Sequence, residues 1–193
     1  LPIAKLSNIE QSIQGYCQVE VMEGHDKYMC DKCGEKKDAK RFVQIAKLPD
    51  VLNLQLVRFK FDPKTYTKKK AKDVVEFAHA LDFCADAIRP LLTPALQKEI
   101  EAAIASGDTK RYRYKLTAVL HHKGQTANSG HYTADILDRS CPGTETWYTL
   151  DDTKVTKTVI LINVGDRLDH SMRKTRILQF INSFHPGGSE CQT

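Results

Sequence analysis

Two closely spaced cysteines are the first residues of this 193-residue chain that could do chemistry. Cys30 and Cys33 are separated by two residues, a spacing at which two thiolates can hold one zinc ion from a single turn. A structural zinc ion takes four ligands, so this pair supplies half a site, which Cys17 and His25 could complete. The alternatives are two reduced surface thiols or a redox pair, although no βαβ pattern surrounds the two cysteines.

A histidine and two carboxylates form the second group. His131 lies between Gly130 and Tyr132, and Asp151 and Asp152 follow later in the chain. His131 begins one predicted strand and Asp151 ends the next strand of the same apparent hairpin, so the two side chains can meet. A carboxylate that accepts a hydrogen bond from an imidazole fixes its tautomer and stabilises its charged form. This arrangement predicts two members of a nucleophilic triad, whose third member is the nucleophile.

The elements that must position these side chains are short strands with alternating apolar residues. Residues 51–59 predict one strand with a single buried face, followed by a turn at 62–65 and a solvated basic stretch at 68–70. The remaining predicted strands are 112–120, 132–136, 147–150, 159–164 and 177–181.

One helix is predicted between these strands. Thr93 can cap it, Pro94 suits its first position and Gly107 is a natural end. Its apolar stripe consists of residues that recur every fourth position, namely Leu96, Ile100 and Ile104. Antiparallel strands that carry a helical insertion define an α+β fold class.

The composition is typical of a globular domain, with 41% hydrophobic and 27% charged residues. It excludes a disordered, collagen-like or coiled-coil chain, and no uncharged apolar run approaches the roughly 18 residues of a membrane helix. The formal net charge of +5 is too small to require a nucleic-acid partner. Six scattered cysteines and no basic-then-apolar leader favour a reducing, intracellular compartment, either cytoplasm or nucleus or both. Because the first residue is Leu1, we expect a processed chain or a piece of a longer one.

Several motifs in sequence order resemble one family. The stretch Gly130-His131-Tyr132, followed by residues 147–152, resembles the histidine box of the ubiquitin-specific proteases, which are papain-like cysteine proteases that remove ubiquitin. Residues 26–33 look like the second cysteine knuckle of the family's fingers subdomain, and residues 48–59 look like the strand after it. Residues 53–65, with the lysines that follow, are most similar to the ubiquitin carboxyl-terminal hydrolase 48 branch.

The resemblance covers about residues 1–156 and implies an α+β, papain-like fold. Residues 1–48 would form a partial, zinc-ribbon-like fingers region with the cysteine knuckle. Residues 49–185 would form the antiparallel palm sheet with the histidine box, interrupted by a helical insertion at about 89–107, and residues 186–193 would be a tail. The N-terminal thumb part and the first zinc knuckle would be missing from the chain.

The resemblance also implies roles for the second group of side chains. His131 would be the general base that makes the nucleophile a thiolate, and Asp151 would orient it. Asp152 would support the pair or act as the alternative orienting residue. Gly130 would line the groove for the Gly-Gly tail of ubiquitin, and Tyr132 would also bind substrate.

The cysteines depart from the family pattern, because none lies in an Asn- and Gly-containing box that opens a helix. Cys17 precedes the knuckle too closely to be the nucleophile, and Cys84, Cys141 and Cys191 come too late in the chain. We therefore expect the C-terminal part of a deubiquitinating thioesterase or isopeptidase that is inactive alone, with ubiquitin and ubiquitinated proteins as partners.

Two other functions remain open on the sequence alone. One is a ubiquitin-binding remnant without turnover, either as a fragment or as a degenerate family member. The other is a zinc-ribbon module that binds nucleic acid through residues 68–72, which is disfavoured because the basic residues are few and no aromatic stacking platform is evident. Zinc, held by the half-site of Cys30 and Cys33, is the one cofactor that the resemblance allows.

Overall fold

The computed structural model describes residues 1–71, 73–124, 126, 129–140, 144–159 and 175–182. Two α-helices lie within these residues, α1 (Ile9–Tyr16) and α2 (Pro94–Ser106). The strands of the same residues are β1 (Glu20–Met22), β2 (Tyr28–Cys30), β3 (Glu35–Lys37), β4 (Ala39–Arg41), β5 (Val51–Gln55), β6 (Phe59–Asp62), β7 (Thr67–Lys70), β8 (Ala80–Asp82), β9 (Arg113–Lys123), β10 (His131–Asp138), β11 (Thr146–Asp151), β12 (Lys154–Thr158) and β13 (Thr175–Asn182).

One seven-stranded antiparallel sheet organises the chain. Its strands follow the order β12-β11-β10-β9-β13-β5, and β8 pairs with β9. The predicted α+β class with an antiparallel sheet is therefore confirmed. The strands predicted at 112–120, 132–136 and 147–150 are β9, β10 and β11, which lie side by side and bring their ends together.

The segment predicted at 177–181 is also a strand, since β13 lies between β9 and β5. The strand predicted at 159–164 lies outside the described residues except for Val159, which is exposed and belongs to no strand. The proposed tail at 186–193 lies wholly outside them. No helix in the described part of the chain is long and apolar enough to cross a membrane.

An apolar core joins the helices to the sheet. Ile9 and Ile13 of α1 and Leu96 and Ile100 of α2 are buried in the same cluster as the inward side chains of the sheet. The helix predicted from Thr93 to Gly107 is confirmed as α2, preceded by a short 3-10 turn at Arg89–Leu91.

Two details of α2 differ from the prediction. Thr93 occupies the N-cap position, but its side chain makes no capping hydrogen bond, and Ile104 is 43% exposed. The buried stripe is therefore shorter than the sequence indicated. Gly107 does end the helix, because it adopts a left-handed φ of +76°, which glycine tolerates best.

The alternation predicted along β9 is wrong beyond Leu116. The apolar residues that alternate in the predicted strand 112–120 are Tyr112, Tyr114, Leu116, Ala118 and Leu120. In the structure, Phe180 of β13 pairs with Leu116 and the preceding residue pairs with Ala118, so Thr117 is an extra residue in β9. Such a β-bulge reverses which side chains face inward. Thr117, Val119 and His121 are consequently the inward residues after it, and all three are buried. His122 is buried on the opposite face, against Phe59 and Tyr132.

The single strand predicted at 51–59 is two strands. β5 ends at Gln55 and β6 begins at Phe59, with the buried Arg58 in the break. β6 and β7 form a separate hairpin, whose turn at residues 63–66 confirms the predicted turn within one residue. The stretch 68–70 was predicted to be solvated, and Lys68 and Lys69 of β7 are indeed exposed. Lys70 differs, because it is partly buried against β9.

Candidate functional site

The two residues of the candidate triad meet at one end of the sheet. His131 is the first residue of β10, Asp151 is the last residue of β11, and the two strands are antiparallel neighbours. The imidazole Nε2 and the Asp151 Oδ1 are hydrogen-bonded. The side chains are 42% and 36% exposed, so solvent or a partner can reach them. If Nε2–H donates to the carboxylate, the lone pair of Nδ1 remains for a proton from another group.

Lys123 is a third member of this cluster that sequence reasoning missed. It lies directly across from His131 on β9, and its Nζ donates to Asp151 Oδ2 at 3.2 Å. The hydrogen bonds from His131 and then from Lys123 lower the pKa of Asp151 below its ordinary value. Asp151 is therefore ionised at neutral pH, as an orienting carboxylate must be.

Asp152 lies beside this pair but is placed differently. It has a left-handed φ of +52° and is exposed, and Asp151 is the carboxylate that hydrogen-bonds to His131. The ligand atoms of the three residues lie within 4.8 Å of one another, so they could in principle hold a metal ion. The ammonium group of Lys123 on Asp151 opposes a bound cation there.

Close packing explains the glycine before the histidine. Gly130 has a φ of +156°, and a Cβ at this position would overlap the Nε2 of His122 and lie 2.8 Å from the Lys123 carbonyl oxygen. A Cβ at Gly124 would lie 2.7 Å from the Ser129 carbonyl oxygen. Only glycines allow the two ends of this connection to approach so closely.

Tyr132 is not brought to the imidazole pair. Neighbouring residues of a strand point to opposite faces, so Tyr132 faces away from His131. Its ring packs on His122, directly opposite on β9, with 4.8 Å between ring centroids, and the residue is 44% exposed. Any contact with a substrate would be made on that other face.

A buried polar group lies further along the same face as His131. His121 Nε2 lies 2.7 Å from Asp135 Oδ2, and the Thr149 hydroxyl donates to Asp135 Oδ1 at 2.6 Å. Burial favours a raised pKa at Asp135, but the hydrogen bonds from His121 and Thr149 outweigh it and the pKa is lowered. The three residues tie β9, β10 and β11 together. The β9 bulge, which sets the inward direction of His121, gave no sequence signal.

The cysteine pair lies on the β2–β3 hairpin, in the region where β1 pairs with β4. Cys30 ends β2, Cys33 lies in the exposed turn, and backbone hydrogen bonds from Cys33 and Lys32 lower the pKa of Cys30. The two thiols therefore share one turn, as the spacing predicted. Among the described residues, neither Cys17 nor His25 joins them in a group of three or more possible metal ligands. This arrangement therefore gives no support for completion of a zinc site by Cys17 and His25, and zinc at the cysteine pair stays a prediction.

The antiparallel sheet thus presents a hydrogen-bonded histidine–aspartate pair where two neighbouring strands begin and end. A family model described as ubiquitin carboxyl-terminal hydrolase matches residues 8–166. The chain therefore belongs to the ubiquitin carboxyl-terminal hydrolase family, which confirms the resemblance seen in the sequence.

Individual relatives agree with this assignment. The chain is 37% identical over 157 residues to ubiquitin carboxyl-terminal hydrolase 26 of Oryza sativa subsp. japonica, covering 81% of this chain and 13% of that protein. It is 33% identical over 165 residues to ubiquitin carboxyl-terminal hydrolase 48 of Gallus gallus, covering 80% of this chain and 14% of that protein. The chain thus spans only a small part of the length of these relatives.

A solved structure has the same fold. It is described as the SAGA Ubp8/Sgf11/Sus1/Sgf73 DUB module bound to ubiquitin aldehyde, and it matches with a TM-score of 0.63 and 23% sequence identity. The alignment covers 94% of this chain and 34% of that chain. At this identity the likeness establishes the fold alone.

Proposed function

We propose that this chain carries the general base and the orienting acid of a deubiquitinating cysteine protease. The hydrogen bond between His131 and Asp151 is the observation that carries the proposal. Family membership supports a hydrolase that acts on ubiquitin conjugates. The substrates are ubiquitin thioesters or isopeptides, and the partners are ubiquitin and ubiquitinated proteins.

The chemistry follows from the atoms that the pair exposes. Nε2–H of His131 donates to Asp151, so Nδ1 accepts the proton of a thiol and leaves a thiolate. The thiolate attacks the carbonyl carbon of the last glycine of ubiquitin, the bond from that carbon to the lysine nitrogen breaks, and the imidazolium returns its proton to the departing amine. Water then hydrolyses the thioester, with His131 again taking a proton. The ionised carboxylate of Asp151 stabilises the imidazolium at each of these stages.

The thiol itself is proposed to come from outside this chain. None of the four described cysteines hydrogen-bonds to His131. Burial raises the pKa of Cys17, and burial followed by the charge of Asp82 raises the pKa of Cys84 to about 11, so neither environment favours a thiolate. We therefore expect the 193 residues alone to be inactive.

Ubiquitin binding without turnover is the second candidate function. It is supported by exposed apolar side chains around the paired strands β1 and β4, namely Val21, Tyr28, Met29 and Phe42. Surfaces of this kind are common at protein interfaces. A ribbon-like fingers region is proposed for these strands, with Cys30 and Cys33 supplying two thiolates when zinc is bound. An intracellular location remains a prediction from the cysteine pattern.

Two measurements on the chain test these proposals. With a fluorogenic ubiquitin substrate we expect no release of fluorophore, while titration of ¹⁵N-labelled ubiquitin should shift a contiguous set of ubiquitin resonances. Release of fluorophore that disappears in Cys17→Ser would show that the chain contains its own nucleophile. The absence of any shift at millimolar protein would overturn ubiquitin recognition by these residues.

The role of His131 needs the thiol to be present. In a protein in which the thiol-bearing segment is joined to this chain, His131→Gln should lower kcat/KM at least about 10³-fold, since members of a triad fail together. His79→Gln is the matched control, because it makes the same change at an exposed histidine that lies outside the imidazole pair. Activity that survives His131→Gln would exclude His131 as the general base.

A further inference from the structure

The β6–β7 hairpin is not hydrogen-bonded into the main sheet as a strand, but it contacts the end of β9. Phe59 pairs directly with Lys70, so the two side chains project from the same face of the hairpin. The ring of Phe59 packs edge-on against His122 of β9, with 5.5 Å between centroids. This face of the hairpin therefore lies against the end of β9.

Lys70 makes the polar part of this contact. Its Nζ donates to the carbonyl oxygen of His122 at 2.6 Å and to that of Gly124 at 3.0 Å, and it lies 3.2 Å from His122 Nδ1. An ammonium group has three donors, and hydrogen bonds from a charged donor are roughly twice as strong as neutral ones. One side chain thus holds two backbone carbonyls at the point where β9 ends.

The segment held by Lys70 is in contact with the residue before the candidate base. Gly130 packs so tightly on His122 that a Cβ would overlap the imidazole, and the Cβ position of Gly124 lies 2.9 Å from the Gly130 Cα. His131 follows Gly130 directly. The contacts therefore run from Lys70 through residues 122–124 to Gly130 and then to His131.

We propose that Lys70 is a positioning residue for His131. By fixing the His122 and Gly124 carbonyls, its ammonium group holds the surface on which Gly130 rests, and so keeps the imidazole within hydrogen-bonding distance of Asp151. The role of the imidazole as a base rests on the proposed function, but the positioning does not. The hairpin is consequently an outlying support of the site, although it contributes no residue to the imidazole pair.

The test uses carbon-detected NMR titration of the Asp151 carboxyl group in the 193-residue chain. Lys70→Met keeps the aliphatic stem and removes the donors, so the hydrogen bond from His131 should weaken and the titration midpoint of Asp151 should rise toward the ordinary value. Amide hydrogen exchange of residues 122–124 and 129–131 should become about tenfold faster. Lys70→Arg should restore both readouts, because guanidinium N–H groups can reach the same carbonyls.

Lys68→Met is the matched control, since Lys68 is exposed on the same strand. The proposal is overturned if Lys70→Met leaves the Asp151 titration unchanged, or if Lys68→Met moves it equally. Circular dichroism establishes that each variant is folded, and Lys70→Gln replaces Lys70→Met if the latter does not fold. None of these readouts requires turnover, so this proposal and the proposed function can fail separately.

Discussion

Gly130→Ala tests most directly how the end of β10 is held. Gly130 combines a φ of +156° with a position at which a Cβ would overlap His122. Strained backbone angles cost about 1–3 kcal/mol, and overpacking against fixed atoms costs a similar amount. We therefore expect the free energy of unfolding to fall by about 3 kcal/mol or more, measured by urea denaturation followed by circular dichroism.

Gly107→Ala is the matched control for this substitution. Gly107 has a φ of +76°, but a Cβ there would meet nothing within 4 Å. The free energy of unfolding should therefore fall by only about 1 kcal/mol, which is the cost of the left-handed backbone conformation for alanine. The pKa of Asp151 is a second readout. It should rise toward its ordinary value in Gly130→Ala and stay unchanged in Gly107→Ala. Equal losses of stability in the two variants would refute the packing argument.

Three further predictions concern the core, the thiols and pH. Ile100→Ala should lower the free energy of unfolding by about 2–5 kcal/mol because Ile100 is fully buried, whereas Ile104→Ala should cost less than about 1 kcal/mol; urea denaturation of both variants decides this. Cys30 should be alkylated by iodoacetamide at pH 8 much faster than Cys84, because the pKa of Cys30 is lowered and that of Cys84 is raised to about 11. Peptide mass spectrometry measures the two rates, and faster alkylation of Cys84 would refute these pKa shifts. The hydrogen bond from the imidazole lowers the pKa of Asp151, so the ionised carboxylate stabilises the fold fully above the ordinary aspartate pKa. This stabilisation is lost as the pH falls through the pKa of Asp151 in the folded protein. Asp151→Asn should therefore flatten the acid limb of a plot of unfolding free energy against pH, and an unchanged limb would exclude the linkage.

The local sequence pattern was sufficient to predict the strands that carry His131 and Asp151. The alternation of apolar and polar residues predicted the positions of β9, β10 and β11. Pro94 and Gly107 marked the two ends of α2. The meeting of His131 and Asp151 followed from topology, since the start of one strand and the end of the next share an edge of the sheet in a hairpin.

The supporting residues could not be predicted in the same way, because they depend on contacts between distant segments. The bulge at Thr117 is defined by the register with β13 and leaves no mark in the sequence of β9. Lys70 looked like one member of a solvated basic run, and only the docking of the hairpin on β9 gives it carbonyl partners. Lys123 lies beyond the predicted end of its strand at residue 120, and only the pairing of β9 with β10 places it opposite His131.

The exposure of His131 and Asp151 to solvent sets the strength of the hydrogen bond between them. At 42% and 36% exposure, water competes for the hydrogen bond between His131 and Asp151 and screens the charge of Lys123. A segment or substrate that covers this edge of the sheet would exclude water and strengthen both interactions without moving either side chain. The buried group of His121, Asp135 and Thr149 already fixes β9, β10 and β11 relative to one another. The sheet therefore supplies the geometry in advance, and under the proposed function the covering segment and the substrate would supply the dry environment in which the two interactions are strongest.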